Sequence, residues 1–396
     1  MSVQQTGQIC NTIVSWLNAT GSENPKWSLD EWNRFKFVCR VHGVAPLLHT
    51  KLKTSPWLND DMQQWLVEQY HFNQQRIAKM HGELTKILAL FAANNIPLMP
   101  LKGSILSTKY YDDPVCRPMA DLDLLIRPDD FESAAALLNQ LGYQPDVAHW
   151  KHTEFSRPDN RRVVSVECEH PDNPRKLEIH RRCRETFGGP TIDLTQLMWD
   201  NAVRGKLLGQ PASLPTPEAL WLHLLVHATY HLWQGKGRLI HLVDLALLTS
   251  QLDKPGTMLN SIGPRFTYPA LAMLNEYFPD VIADSLLSSQ RQQLSPGFQQ
   301  WADGLDLVNS SHLNPDPVGL YLPKALKFTE GRPREIAQAL RFAMLPGLDE
   351  IALDHPRLAN SKIPWLAYFL LPVDWVKRLQ RPDERHQNQA KEQEQN

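Results

Sequence analysis

The chain has 396 residues, 41 Lys+Arg against 43 Asp+Glu, a formal charge of −2, and is 42% hydrophobic and 21% charged. That length predicts two or three domains of an ordinary globular protein. The balanced charge excludes a global field able to hold long nucleic acid, and the scattered Cys10, Cys39, Cys116, Cys168 and Cys183 form no C-x-x-C pair, which points to a reducing compartment.

In chain order, the opening "MSVQQTGQICNTIVSW" has neither a basic start nor a long apolar run, so no signal peptide is expected. "SLDEWNRFKFVCRVHGVAPLLHTKL" begins with a capping-box pattern, Ser28 to Glu31, and carries apolar residues at helical spacing. A long amphipathic helix is predicted from Met62 to the Asn94-Asn95 pair. The character then changes. "IPLMPLKG" reads as a short strand ended by Gly103, "SILSTKYY" as a helix from Ser104, and "ADLDLLI" as a strand between Pro118 and Pro128. "DDFESAAALLNQLGY" is a helix started by Asp129 or Asp130 and stopped by Gly142. "RRVVSVECEH" and "RKLEIHRR", around the turn "PDNP", predict an antiparallel hairpin. Helical patterns return with "PTPEALWLHLLVHATYHLWQ", "RLIHLVDLALLTSQL" and "REIAQALRFAM".

The boundaries that follow are an N-terminal helical region 1–95, a small mixed α/β core 96–190, a helical region 191–380 and a disordered tail 381–396. The fold class is therefore α+β. No run reaches the ~20 apolar residues of a membrane span. "IPWLAYFLLPVDWV" comes nearest but is broken by Pro372 and Asp374, and a helix docked on the body is expected there. With no transmembrane segment, a cytoplasmic protein is the expectation.

Asp121 and Asp123 alternate with Leu122 and Leu124, so a strand would project both carboxylates from one face. Like charges that close need a proton or a cation between them, and a hard divalent ion with oxygen ligands answers that need. Beside them, Lys102-Gly103-Ser104 lies at a strand-to-helix corner, where helix N–H groups, a hydroxyl and a point charge suit a phosphate.

These residues resemble the polymerase-β-like nucleotidyltransferase superfamily, marked by a Gly-Ser turn followed by an Asp-x-Asp strand. Within it, "PLKGSILSTKYYDDPVCRPMADLDLLIRPDDFESAAALLNQLGY" is similar to the bacterial uncharacterised nucleotidyltransferases, with weaker similarity in "VCRVHGVAPLLHTKL", "LEIHRR" and "LLVHATYHLWQGKGRLIHLVDLALL". The resemblance implies a nucleotidyltransferase core and a third carboxylate on a later strand. Glu178 matches the family's acid-x-His with His180, and Glu167 and Glu169 are rivals. It further implies two Mg²⁺ ions, or Mn²⁺ in their place, on Asp121, Asp123 and Glu178. Lys102, Gly103, Ser104 and Arg117 would meet an NTP, ATP first, whose NMP passes to an acceptor with pyrophosphate release. The acceptor could be a small molecule, a sugar, a protein or RNA, with long nucleic acid disfavoured. The insert "YYDDPVCRPMA" lengthens the gap from Ser104 to Asp121 and is expected to form a loop over the nucleotide.

Two other readings stand beside this one. A chain of the same fold could bind nucleotide as an inactive scaffold. Alternatively His223, His227 and His231, four residues apart on one helix, with His241 and Asp244 nearby, could hold a metal for hydrolysis. In the family reading, His180, His227 and His231 help shape the pocket.

Overall fold

The computed structural model describes residues 2–18, 24–148, 152–165, 170–253, 255–314, 321–344 and 364–370. Helices α1 (Val3–Leu17) and α2 (Leu29–His42) each begin in a reciprocal capping box, Ser2 with Gln5 and Ser28 with Glu31. Gly43, at φ +69°, ends α2 in the left-handed region and turns the chain into α3 (Ala45–Leu52). The 34-residue α4 (Asp60–Ala93) follows, capped by the Asn59 side chain and about 50 Å long. Its buried residues, among them Met62, Leu66, Asn73, Ile77, Met80, Leu84 and Phe91, recur at three- and four-residue steps and make one stripe toward the core.

That stripe backs the sheet. Strand β1 is only Met99–Pro100, because Pro97 and Pro100 shorten it, and α5 (Gly103–Lys109) follows immediately. Strand β2 (Asp121–Leu125), helix α6 (Phe131–Gln140) and the strands β3 (Gln144–Ala148), β4 (His152–Ser156) and β5 (Lys176–His180) complete a five-stranded mixed sheet of order β1-β2-β5-β4-β3. Only β2 and β5 run parallel, with Leu122 opposite Leu177 and Asp123 opposite Glu178. Leu122, Leu124, Leu177 and Ile179 are buried, which leaves the acids on the other face.

The expected hairpin of "RRVVSVECEH" with "RKLEIHRR" is corrected. Residues 161–165 form no strand, and β5 pairs antiparallel with β4, Thr153 opposite Ile179 and Glu154 opposite Glu178. A parallel strand buried on one side needs a partner on its free edge, and β4 supplies it. Glu167 and Glu169 lie outside the described residues.

After β5 come two hairpins that periodicity did not indicate, β6 (Arg184–Thr186) with β7 (Thr191–Asp193) and, beyond α7 (Thr195–Asp200), β8 (Ala202–Leu207) with β9 (Gln210–Pro215). Ser213 N–H donates to the Leu98 carbonyl at 2.9 Å, which ties the second hairpin to the segment leading into β1. Helices α8 (Pro217–Trp233) and α9 (Leu239–Thr249) then pack on the core, followed by α10 (Tyr268–Tyr277), α11 (Asp284–Gln292), α12 (Pro296–Asp303), α13 (Tyr321–Thr329) and α14 (Pro333–Met344). Phe187 stacks on Phe328, with ring centroids 4.4 Å apart, and joins the sheet side to the C-terminal helices. Among the described residues no helix is long and apolar enough to cross a membrane. Residues 364–370 form a 3-10 helix with Trp365 and Phe369 exposed, while the tail 381–396 lies outside the described residues. Cys10, Cys39, Cys116 and Cys183 are free and buried, with burial pushing the Cys10 thiol up to about 12.

Arg76 sets the strand entries. From the middle of α4, Nε donates to the Met119 carbonyl at 2.9 Å and Nη2 to Ala120 at 2.8 Å, just before β2. Nη1 and Nη2 also reach the carbonyls of Asn173 at 3.1 Å and Pro174 at 3.0 Å, just before β5. One buried guanidinium thus fixes where both parallel strands begin. Arg76→Met is expected to cost about 3–5 kcal/mol in urea unfolding, because it strands buried carbonyls as well as removing charged hydrogen bonds.

Candidate functional site

Three consecutive features of one corner converge on Asp123. Leu101 N–H donates to the Asp123 carbonyl at 2.9 Å, and Asp123 N–H donates to Ser104 Oγ at 3.0 Å. Lys102 Nζ meets Asp123 Oδ1 at 2.7 Å in a largely buried ion pair. To place that ammonium, Lys102 adopts φ +46°, a conformation that costs a non-glycine residue of order 1–3 kcal/mol. The positive group beside the acids is therefore, first of all, the chain's own lysine.

The corner works differently from the expectation drawn for it. Ser104 is fully buried, its N–H is taken by the Leu101 carbonyl at 3.0 Å, and its hydroxyl holds β2. A Cβ on Gly103 would stand 2.8 Å from Met119 Cγ, so glycine here serves the close packing of the corner on the insert. The first turn of α5 thus spends donors on the protein itself.

Glu178, opposite Asp123 on β5, completes a group of acids with Asp121. His180 Nε2 lies 2.9 Å from Asp123 Oδ1 and 3.3 Å from Glu178 Oε2, so it bridges the two strands' carboxylates. Burial alone would raise the Asp123 carboxyl, but Lys102 and the His180 hydrogen bond hold it well below the usual carboxylate range. Glu178 follows the same logic, its burial outweighed by the His180 bond and the Lys102 charge, and is lowered. For Lys102, burial works against the charge, but Asp123, Glu178 and Asp121 keep the ammonium protonated well into alkali.

Asp121 is the exception. Among the described residues its carboxylate has no hydrogen bond or ion pair, and burial together with the Asp123 and Glu178 charges raises its pKa well above the usual range. Lys102 and His180 bond Asp123, and His180 also lies against Glu178, whereas neither bonds Asp121. Carboxylate oxygens are the donor type that a hard divalent cation takes.

Arg117 does not point to a free anion. Its Nε and Nη2 each meet Asp244 on α9 at 2.7 Å, and Nη1 donates to the Pro118 carbonyl. Tyr111 Oη donates to Asp244 Oδ1 at 2.8 Å. The insert expected to form a loop over a nucleotide is packed instead, with Tyr70 Oη on Asp113 at 2.7 Å and Asn73 Nδ2 on the Val115 carbonyl at 2.6 Å.

The histidines of α8 do gather. His227 and His231 have ring centroids 4.3 Å apart, His231 and His241 5.0 Å, and His227 Nδ1 is 3.4 Å from Glu185 Oε1. Burial and then His231 depress His241 well below the ordinary histidine range, with Arg238, Arg117 and Lys102 adding to the effect. Among the described residues, however, the only group with ligand atoms placed for one ion is His152, Glu178 and His180, and the α8 histidines form none. His152 and Glu154 escape sequence reasoning because β4 has a single apolar residue, Phe155, and carries no strand periodicity.

The family model described as uncharacterised nucleotidyltransferase matches residues 28–260, well over half of the chain. The chain belongs to that family. Nucleotidyl transfer is accordingly its general activity, and divalent metals are general to the family. No curated protein matches the sequence. Two solved structures are similar at low identity. The antibiotic-resistance factor ANT(2'')-Ia is 15% identical over 44% of this chain and 84% of its own, with a TM-score of 0.32. An antigenic nucleotidyltransferase-like protein from Paracoccidioides brasiliensis is 18% identical over 52% of this chain and 91% of its own, with a TM-score of 0.34.

Two outcomes follow from the charges. The raised pKa of Asp121 means that its ionised form penalises the fold above that pKa, and the penalty disappears in acid as the carboxyl gains its proton. Asp121→Asn should therefore raise Tm by about 2–4 °C in mildly alkaline buffer, with the difference from wild type vanishing as pH falls. For the second, Arg117→Met and Asp244→Leu should each cost about 3–5 kcal/mol in denaturant melts, because each leaves a buried charge alone. The double variant should cost clearly less than the two singles added together; unchanged stability in Arg117→Met would mean that the guanidinium is not held by Asp244.

Proposed function

We propose that the chain transfers an NMP from an NTP to an acceptor hydroxyl, with Asp121, Asp123 and Glu178 as the carboxylates that hold two divalent cations, Mg²⁺ in the first place. The observation that carries the reading is the unpartnered Asp121 carboxylate beside two acids that Lys102 and His180 already engage. Ions of this kind would supply Lewis-acid polarisation of the α-phosphate and charge stabilisation of the departing pyrophosphate. The three acids are donor-rich and oxygen-only, as hard cations require.

The chain's own groups have separable tasks. Asp121 must release its proton when a cation loads, so cation affinity rises with pH through the raised Asp121 pKa. Glu178, its carboxyl lowered by the His180 bond and the Lys102 charge, would orient the acceptor hydroxyl. Lys102, released from Asp123 when a cation replaces it there, is the charge within reach of a phosphate. Ser104 and Gly103 act through the backbone by fixing the corner, and Arg117 acts by anchoring α9 beside the site. His227 and His231 would then help shape the acceptor side, and the balanced charge of the chain disfavours a long nucleic acid as acceptor. ATP remains the first nucleotide to try. In this reading the core spans residues 96–190, between the helical regions 1–95 and 191–380.

The test is Asp121→Asn, which deletes an unpartnered charge and leaves the Lys102–Asp123 pair intact. With α-labelled NTP, Mg²⁺ and a cell extract as acceptor source, the wild type should label one fraction. Asp121→Asn should fold normally and label it about a hundred-fold less or worse. Labelling by the variant at the wild-type rate would overturn the assignment. A scaffold that only binds nucleotide would instead retain NTP without releasing pyrophosphate.

A further inference from the structure

On the far side of Glu178 from Asp121 stands a second set of donors of different chemistry. His152 on β4 and His180 on β5 are directly paired across the strands, and their rings lie with centroids 5.0 Å apart. Glu178 Oε2 is 3.3 Å from His180 Nε2 and 3.6 Å from His152 Nδ1. One ligand atom from each of the three lies within 4.8 Å of the others. A tetrahedral ion with bonds of about 2.0–2.2 Å holds its ligands about 3.3–3.5 Å apart, so two of the three edges are already near that spacing. His152, His180 and Glu178 are drawn from adjacent, hydrogen-bonded strands rather than loops, so the spacing is built into the sheet register.

We propose that His152, His180 and Glu178 form a transition-metal site of the zinc class, distinct in chemistry from the oxygen-only set of Asp121, Asp123 and Glu178. Two imidazoles and a carboxylate with one position left open is a donor set that zinc-class ions take and that Mg²⁺, which favours oxygen, does not. Asp123 Oδ1 lies 2.9 Å from His180 Nε2 and is not one of the three donors. Because Glu178 belongs to both sets, loading here draws on a carboxylate that nucleotidyl transfer would also use, and a zinc-class ion is expected to oppose Mg²⁺ loading rather than assist it. The site itself depends only on strand register and does not rest on the proposed transfer reaction.

The probe is Co²⁺, whose low-coordinate complexes with nitrogen ligands absorb strongly in the visible. Titration of the full-length chain in a hundred-fold excess of Mg²⁺ should give one Co²⁺ per chain with that absorption. His152→Ala and, separately, Glu178→Gln should each weaken binding by about a hundred-fold or more, with thermal melts confirming that both variants fold. Asp121→Asn should bind Co²⁺ as the wild type does. Absence of stoichiometric binding by the wild type, or wild-type binding by a folded His152→Ala, would overturn the site. If Asp121→Asn abolished the signal while His152→Ala kept it, the ion would belong to the carboxylate set: this proposal would fall and the transfer reading would stand. Loss of label transfer with the Co²⁺ pattern intact would be the reverse case.

Discussion

Asp123 is gripped on main chain and side chain by a single corner, and the rest of the site is arranged around that grip. Leu101, Lys102 and Ser104 each contribute one bond to it. Parallel pairing then sets Glu178 directly opposite. Two buried carboxylates in register would split the sheet if nothing balanced them. Lys102 and His180 provide the balance, and because both are committed to Asp123 and Glu178, Asp121 is left to absorb the remaining repulsion as a raised proton affinity. The uneven treatment of three similar side chains comes from where the bonds go: Asp123 and Glu178 have partners and Asp121 has none among the described residues.

The register on which this depends is set from outside the sheet. Arg76 addresses carbonyls immediately before β2 and before β5, so both strands start from one rigid helix. Sliding β5 by one residue would turn Glu178 into the leucine layer and Leu177 out of it. Arg117 plays the equivalent part for the helices: its pairing with Asp244, 127 residues away, ties α9 to the segment before β2. Two arginines that look like surface or ligand-binding residues in the sequence therefore act as internal braces.

What could be read in advance follows from how local each signal is. The capping boxes, the long stripe of α4, the α5 start and the Asp-x-Asp strand are patterns completed within a few residues, and the structure has them where the periodicity places them. Glu178 was legible from alternation together with a family resemblance. The misreadings all involve partners far apart in the chain. Strand β4 is short and mostly polar in appearance, and its reason to exist is the free edge of β5, which no window of sequence contains. Arg117 and Ser104 carry the right chemistry for a phosphate, yet a carboxylate on α9 and an amide on β2 claim them first. At Gly103 the space a side chain would need is filled by Met119.

Two departures from local optimality lie within one corner of the fold. Lys102 holds a left-handed backbone that glycine would adopt without strain, and Asp121 holds a charge that asparagine would relieve. The first is backbone strain and the second an unpaired charge, and both side chains lie at the same group of acids. A fold shaped by stability alone would have little reason to keep an ammonium on a strained backbone next to an acid it leaves unpaired. When strain and uncompensated charge coincide at one place while capping, packing and pairing elsewhere obey their usual rules, the coincidence favours chemistry over architecture as the reason for those residues. The same reasoning separates Lys102 from Arg76 and Arg117. Those two bond backbone carbonyls and Asp244, whereas Lys102 pairs with Asp123 next to the unpartnered Asp121.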